Sequence, residues 1–260
     1  MSDTVVDVRV DGHVAVITLD RPEARNAVDG RVARQLEAAL DAVESDDDVR
    51  VAVLAATGPV FCAGADLKAI AAGDAASLET ERGGFAGICR RTRVKPLVAV
   101  VDGPALAGGC EIVAACDLVV ASTAASFGIP EVTRGLVAAA GGLFRLPDRL
   151  PLNLAVEAAL TGAPITAERA YVVGFVNALT EPGGALAAGL ALAERVAANA
   201  PEAVRVSRRL ALGAAGMSED ERWQASTDAF ATAVTSAEAQ EGTAAFIEKR
   251  PPAWPALTTP

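Results

Sequence analysis

Leu97-Val-Ala-Val-Val-Asp-Gly-Pro-Ala-Leu-Ala-Gly-Gly-Cys-Glu111 passes from a β-branched apolar strand through a turn of small residues into the start of a helix. The same order occurs once earlier, where a strand at 51–55 leads to Phe61-Cys-Ala-Gly-Ala-Asp-Leu-Lys68. Small residues let another group approach the backbone closely, and the free N–H groups of a helix's first turn point at it. Two such donors meeting at one point make an oxyanion hole. Either loop alone reads as packing, since Gly-Ala turns are common for that reason; the pair is what points to chemistry.

Working outward, β-branched runs at 5–10 and 14–19 flank Asp11-Gly12-His13, a hairpin signal. Residues 31–44 carry Val32, Leu36, Leu40 and Val43 at the spacing of an amphipathic helix. A further buried strand is expected at 118–121. Strands alternating with helical patterns predict an α/β fold with crossovers. Beyond about residue 201 the character changes: 203–212, 219–234 and 237–249 all read as helix with no strand between them. Residues 1–200 are therefore expected to form a β-rich core domain and 201–260 a helical region, with Pro251, Pro252 and Pro255 punctuating its end.

Composition removes several functional classes. The chain has 260 residues, 52% of them hydrophobic, and a mean hydropathy of +0.33. Its longest uncharged apolar stretches, at 135–144 and 183–193, fall short of the roughly 20 residues that a spanning helix needs. No membrane role is expected. The opening Met-Ser-Asp-Thr has neither a basic nor an apolar export segment, which predicts a cytoplasmic protein. A net charge of −10 speaks against nucleic acid as a partner. Arg90, Arg91, Arg93 and Lys95 read as a solvated face, and Asp46-Asp47-Asp48 as a solvated turn after a helix. Cys62, Cys89, Cys110 and Cys116 sit at irregular spacing in apolar settings, as reduced core thiols do, and no histidine lies near them to complete a zinc set.

Other chemistries lack their residues. Gly103 and Gly108 have the spacing of a phosphate-binding loop, but Gly109-Cys110 follows where Lys-Ser/Thr is required. There is no Gly-x-Ser-x-Gly elbow, and His13 is the only histidine, beside a hairpin turn. The expected chemistry uses neither histidine nor metal. Two carboxylates stand out instead: Glu111 in an otherwise apolar helix, and Glu131 in Phe127-Gly-Ile-Pro-Glu131. Most glutamates are exposed or ion-paired, but two isolated ones beside an oxyanion hole suggest an acid/base pair.

At these residues the sequence resembles the enoyl-CoA hydratase/isomerase, or crotonase, family. The resemblance starts at Ile17-Thr-Leu-Asp-Arg-Pro-Glu-Ala-Arg-Asn26-Ala and runs through Phe61–Lys68, Gly108-Gly-Cys-Glu111, Cys116-Asp117, Phe127–Glu131 and Gly141-Gly142. It closes at Glu241-Gly-Thr-Ala-Ala-Phe246-Ile-Glu-Lys249-Arg250. It implies a crotonase-like spiral of ββα turns with a C-terminal helical region that packs trimers, often paired as hexamers. By position, Ala65 and Gly108 match the family's oxyanion-hole donors, and Glu111 and Glu131 its two catalytic glutamates. Ala63, Asp66, Leu67 and Lys68 match the loop that meets the adenine and phosphates of coenzyme A. Phe246 and Lys249 match a pair that reaches coenzyme A from a neighbouring subunit. The substrate implied is an acyl-CoA, with coenzyme A part of the substrate and no separate cofactor.

One departure concerns the acyl chain. Family members similar to the fatty-acid hydratases usually carry a proline between Glu131 and Gly141-Gly142, where this chain runs Gly135-Leu-Val-Ala-Ala-Ala-Gly. Gly142-Leu-Phe-Arg-Leu-Pro147 and the ending Phe-x-Glu-Lys-Arg-x-Pro-x-Trp254 also resemble carnitinyl-CoA dehydratases. The expected reaction is hydration of a 2-enoyl-CoA. A 2,3-enoyl-CoA isomerase, which needs one carboxylate, is the runner-up; a non-catalytic acyl-CoA-binding or RNA-binding relative is a third reading. Retention of both glutamates favours the hydratase.

Overall fold

The computed structural model describes residues 4–255. Residues 1–3, on which much of the export-signal reading rests, and 256–260, the last of the helical region, lie outside the described residues. Six strands form the main sheet in the order Val6–Asp11, Val14–Leu19, Val51–Ala56, Leu97–Val101, Leu118–Ser122 and Ala178–Thr180. The first pair is the expected antiparallel hairpin; every later pairing is parallel. Strands buried on both faces need apolar residues at every position, and Leu97–Val101 is buried throughout. Alternate residues divide between two layers. Ala52, Leu54, Leu97, Ala99 and Val101 enter the large core with the helix Gly30–Ser45. Val51, Val53, Val98 and Val100 pack under the helix Ala185–Ala197. That helix lies so close that a Cβ at Gly189 would stand 2.2 Å from Val100.

A second, three-stranded sheet is built from Ala105–Leu106, Ser126–Gly128 and Ile165–Thr166. Each turn of the chain thus contributes a long strand to the first sheet, then a short stretch to the second, then a helix. Leu97–Val101 is followed by Ala105–Leu106 and the helix Gly108–Ala115; Leu118–Ser122 is followed by Ser126–Gly128 and the 3₁₀ turn Pro130–Arg134. The preceding turn joins the second sheet through a bridge between Cys62 and Ala105. This is the expected spiral of ββα turns, and stacking the turns brings the ends of successive short strands together.

The helices Pro201–Gly213, Glu219–Ala233 and Ala237–Glu248 follow with no strand between them among the described residues. Arg208 fastens them to the core by donating to the Arg93 carbonyl and pairing with Asp117 at 2.8 Å. Their apolar residues are left uncovered in the single chain: Phe230 is 71% exposed and Phe246 85%. No helix among the described residues is long and apolar enough to cross a membrane.

The basic run 90–95 is a correction. Arg90 is exposed, but Arg93 and Lys95 are buried and Arg91 nearly so. The Lys95 ammonium donates to the Val43 carbonyl at 2.7 Å and to the Asp46 carbonyl, so it caps the C-terminal end of Gly30–Ser45, where carbonyls have no intrahelical donor. Arg93 donates to the Ala115 carbonyl and pairs with Asp117. A short basic run looks solvated when the carbonyls that need its charge lie far away in sequence. Replacing Lys95 by Met strands those acceptors, so its urea midpoint should show a loss of about 1–3 kcal/mol; an unchanged midpoint contradicts the capping role.

Candidate active site

The two small-residue loops meet. Phe61 N donates to the Pro104 carbonyl at 3.1 Å and Leu106 N to the Cys62 carbonyl at 3.0 Å. A Cβ at Gly64 would lie 2.9 Å from the Gly108 nitrogen, and one at Gly109 2.2 Å from the Cys62 oxygen. Gly64 also has φ +89, a conformation that costs glycine nothing. Ala107 does bear that cost, at φ 53 and ψ −130, and is held there by its N–H to the Gly128 carbonyl at 2.8 Å. The twist turns the next N–H, that of Gly108, away from the backbone ladder. Neither the Gly108 nor the Ala65 N–H has an acceptor among the described residues. The Phe85 ring covers Gly108 so closely that a Cβ there would lie 2.4 Å from it.

Polar groups brace the first loop from beneath. The buried Asn26 side chain accepts from Arg21 N and donates to the carbonyls of Thr57 and Val60. Arg21 pairs with Asp66 at 2.8 Å. Burial works against the Asp66 charge, but Arg21 and the Lys68 N–H hold its carboxyl below the usual range. Asp66 caps the short helix Leu67–Ala71. Its side chain is thereby occupied, while Leu67 and Lys68 are exposed and Ala63 is partly so.

Glu111 lies one turn beyond Gly108 on the same helix and is 3% exposed. Its Oε1 accepts from Ala140 N at 2.8 Å and Gly142 N at 2.9 Å. Gly142 packs tightly on it, since a Cβ there would stand 3.0 Å from the Glu111 Cγ. Burial raises the Glu111 pKa; the Gly142 N–H opposes this, and the Glu131 carboxyl adds to it. Glu131 stands in the turn Pro130–Arg134, which follows the Ser126–Gly128 strand paired with Ala105–Leu106. Its buried Oε2 has no hydrogen-bond partner, and burial raises its pKa too. The structure thus brings Ala65, Gly108, Glu111 and Glu131 to one corner of the fold.

Thiol chemistry has no footing there. Burial pushes the Cys62 and Cys110 thiols up to about 12, so both stay protonated, and a thiol is a poor nucleophile. His13 is exposed at the far hairpin, with Nδ1 2.7 Å from the Asp48 carbonyl oxygen. No group of three His, Cys, Asp or Glu side chains is placed to hold a metal among the described residues. Phe246 and Lys249 stand exposed at the end of the helical tail. A cavity of about 880 Å³ between the tail helices, lined in part by Leu210, Met217 and Trp254, contains none of the candidate residues. A smaller cavity of about 170 Å³ is lined in part by Ile129 and Gly142, beside Glu111.

Phe85 has no place in the sequence reading, and Arg21, Asn26 and Ala140 fall inside quoted motifs with no role attached. Gly141-Gly142 and the Arg-Pro-Glu-Ala-Arg-Asn segment were quoted as motifs without roles. The signal for a role was there: two glycines before a helix give a buried carboxylate room to reach their amides.

Comparison with known proteins extends the likeness over the whole length. A family model described as enoyl-CoA hydratase/isomerase matches residues 9–256. An enoyl-CoA hydratase of Mycobacterium tuberculosis is 37% identical over 257 residues, covering 96% of this chain and 95% of its own. A carnitinyl-CoA dehydratase of Salmonella arizonae is 36% identical, covering 94% and 95%. Among solved structures, an enoyl-CoA hydratase from Mycobacterium tuberculosis H37Rv superposes with a TM-score of 0.93 at 45% identity, over 97% of this chain and 99% of that one. With family model, relatives and structural neighbour agreeing from end to end, the chain belongs to the enoyl-CoA hydratase/isomerase family.

Proposed function

We propose that the protein is an enoyl-CoA hydratase that adds water reversibly, and syn, across the 2,3 double bond of a 2-enoyl-CoA. The observation that carries this reading is the pairing of two unengaged backbone N–H donors with two carboxyls in contrasting surroundings. Glu111 Oε1 receives two N–H bonds, which favour a carboxylate; Glu131 has a buried oxygen with no donor, which favours a neutral acid. Glu111 is accordingly the base and Glu131 the acid.

The steps balance. Glu111 takes a proton from water as the water oxygen bonds to C3. The C2–C3 π pair moves toward the thioester, and its oxygen gains negative charge. The N–H groups of Ala65 and Gly108 stabilise that charge by about 3 kcal/mol each. The enolate then collapses, and C2 takes the proton from Glu131. An isomerase needs only one of the two carboxyls. A carnitinyl-CoA dehydratase-type reaction, favoured by the Salmonella relative, uses the same proton transfers and differs in the acyl chain. Coenzyme A would lie along Ala63, Asp66, Leu67 and Lys68, with Asp66 offering backbone because its carboxylate is occupied. The region from 201 onward would assemble trimers or hexamers in the cytoplasm, which accounts for its uncovered apolar residues, and would bring Phe246 and Lys249 to a neighbour's coenzyme A.

Loss of the conjugated thioester absorbance should follow mixing with a panel of 2-enoyl-CoA substrates that includes the crotonobetainyl thioester; no loss with any of them contradicts hydration. Glu111→Gln and Glu131→Gln should each lower kcat by at least about 10²-fold while coenzyme A binding survives. A tolerated Glu131→Gln would leave the isomerase reading.

The pH dependence follows from the directions of the shifts. The base works ionised, so rate rises as pH climbs through the value of Glu111. The acid works protonated, so rate falls as pH passes that of Glu131. Both values are raised from 4.5, so kcat should be bell-shaped with its acidic limb above pH 4.5, and Glu131→Gln should remove the alkaline limb. An acidic limb at an ordinary glutamate value contradicts the assignment.

For assembly, Lys249→Ala should raise KM more at low than at high salt, since an exposed charge acts through a screened field. Truncation at about Ala237 should weaken substrate binding. Full activity in a species that light scattering reports as monomeric would overturn the shared site.

A further inference from the structure

Arg145 has no part in the steps above, yet both halves of the site hang from it. It lies in the helix Gly142–Arg149, with its side chain folded back over the helix start. Nη1 donates to the Ala140 carbonyl at 3.1 Å and Nη2 to the Cys89 carbonyl at 2.6 Å. The cation stands 5.0 Å from the Phe144 ring centroid. Its path dictates its neighbour: a Cβ at Gly141, which has φ +108, would lie 1.9 Å from Nη1.

The two carbonyls lead to the two halves of the chemistry. The Ala140 carbonyl belongs to the peptide joining 140 to 141. The peptides on either side supply the Ala140 and Gly142 N–H groups that Glu111 accepts. Gripping the middle peptide restrains both neighbours, which stay joined to it only through the φ and ψ of residues 140 and 141. The Cys89 carbonyl belongs to a turn whose N–H returns to the Phe85 carbonyl at 3.2 Å, and Phe85 is the ring packed on Gly108. We propose that Arg145 is a positioning residue that locks the anchor of Glu111 and the Phe85 turn over Gly108 into one register, so that base and oxyanion donor move as a unit. This rests on the reading of Glu111 as the base.

The electrostatics add to the geometry. Glu111 is faced by the Glu131 carboxyl, the Arg145 guanidinium and the Cys89 and Cys110 thiols. Arg149, on the same helix as Arg145, turns instead to the carbonyls of Ala114 and Cys116. Burial still raises Glu111; the Gly142 and Ala140 N–H groups oppose it most, and the Arg145 guanidinium adds a smaller pull toward the carboxylate. Removing it should therefore move Glu111 upward, while a lysine there keeps the charge and loses the fork that spans two carbonyls.

The test compares the assembled full-length protein with Arg145→Ala and Arg145→Lys. In Arg145→Ala, amide hydrogen exchange should quicken across 138–146 and 85–90 and stay unchanged in the main sheet. Its kcat should fall about 10- to 100-fold, the scale for a misplaced catalytic group, with KM altered much less, and the acidic limb of kcat should move to higher pH. Arg145→Lys should keep the limb at its wild-type position with only part of the kcat restored. Wild-type exchange over both segments with an unmoved limb overturns the proposal. So does loss of protection spread over the whole chain, which marks a merely structural residue. If the wild-type protein hydrates no thioester, the function reading fails by itself, and the exchange comparison still decides whether Arg145 couples the two segments.

Discussion

The backbones at 61–65 and 105–109 touch with no side chain between them, and the rest of the site is placed by that contact. Gly64 and Gly109 admit it, Ala107 is twisted to sustain it, and the Gly108 N–H is released by it. A non-glycine residue at positive φ costs on the order of 1–3 kcal/mol, and the surrounding ladder supplies the restraint. The Ala107 N–H to Gly128 bond and the pairing of Ala105–Leu106 with Ser126–Gly128 hold the twist from the next turn of the spiral. That same turn carries Glu131, so one set of pairings fixes the unengaged Gly108 N–H and a carboxyl together.

The second constraint is the cost of burying charge. Two carboxyls in an apolar corner cannot both ionise cheaply, and each is pushed upward by burial. Their surroundings separate them. Glu111 gains two backbone donors and a nearby guanidinium; Glu131 leaves an oxygen without any. The proposed acid/base roles rest on position rather than on residue type. The donors that favour an ionised Glu111 come from 140–142, some thirty residues away in sequence, so its charge state is set largely from outside its own helix.

What the sequence made legible was whatever repeats locally. The apolar strands at 51–56, 97–101 and 118–122, the hairpin before them and the three tail helices were readable from periodicity to within two residues of their ends. The two loops were readable because the same order of strand, small-residue turn and helix start occurs twice. What stayed hidden depended on partners distant in the chain. Arg93 and Lys95 looked solvated because their carbonyl partners lie at 115 and at 43 and 46. Asn26 and Arg21 gave no hint of bracing the loop at 57–66, and Asp66 gave none that its carboxylate would be occupied. Phe85, in a stretch without regular pattern, was silent about Gly108. The short strands of the second sheet, at most three residues long, have no periodicity to detect.

In the proposed reaction two carboxyls deliver water and a proton to the same face of one double bond. Its most direct test is to run the reaction in deuterium oxide and read the product by NMR. The expected product carries a hydroxyl at C3 and a single deuterium at C2, syn to it, in one diastereomer. Deuterium at C4 without a hydroxyl, or at C2 on both faces, would contradict it.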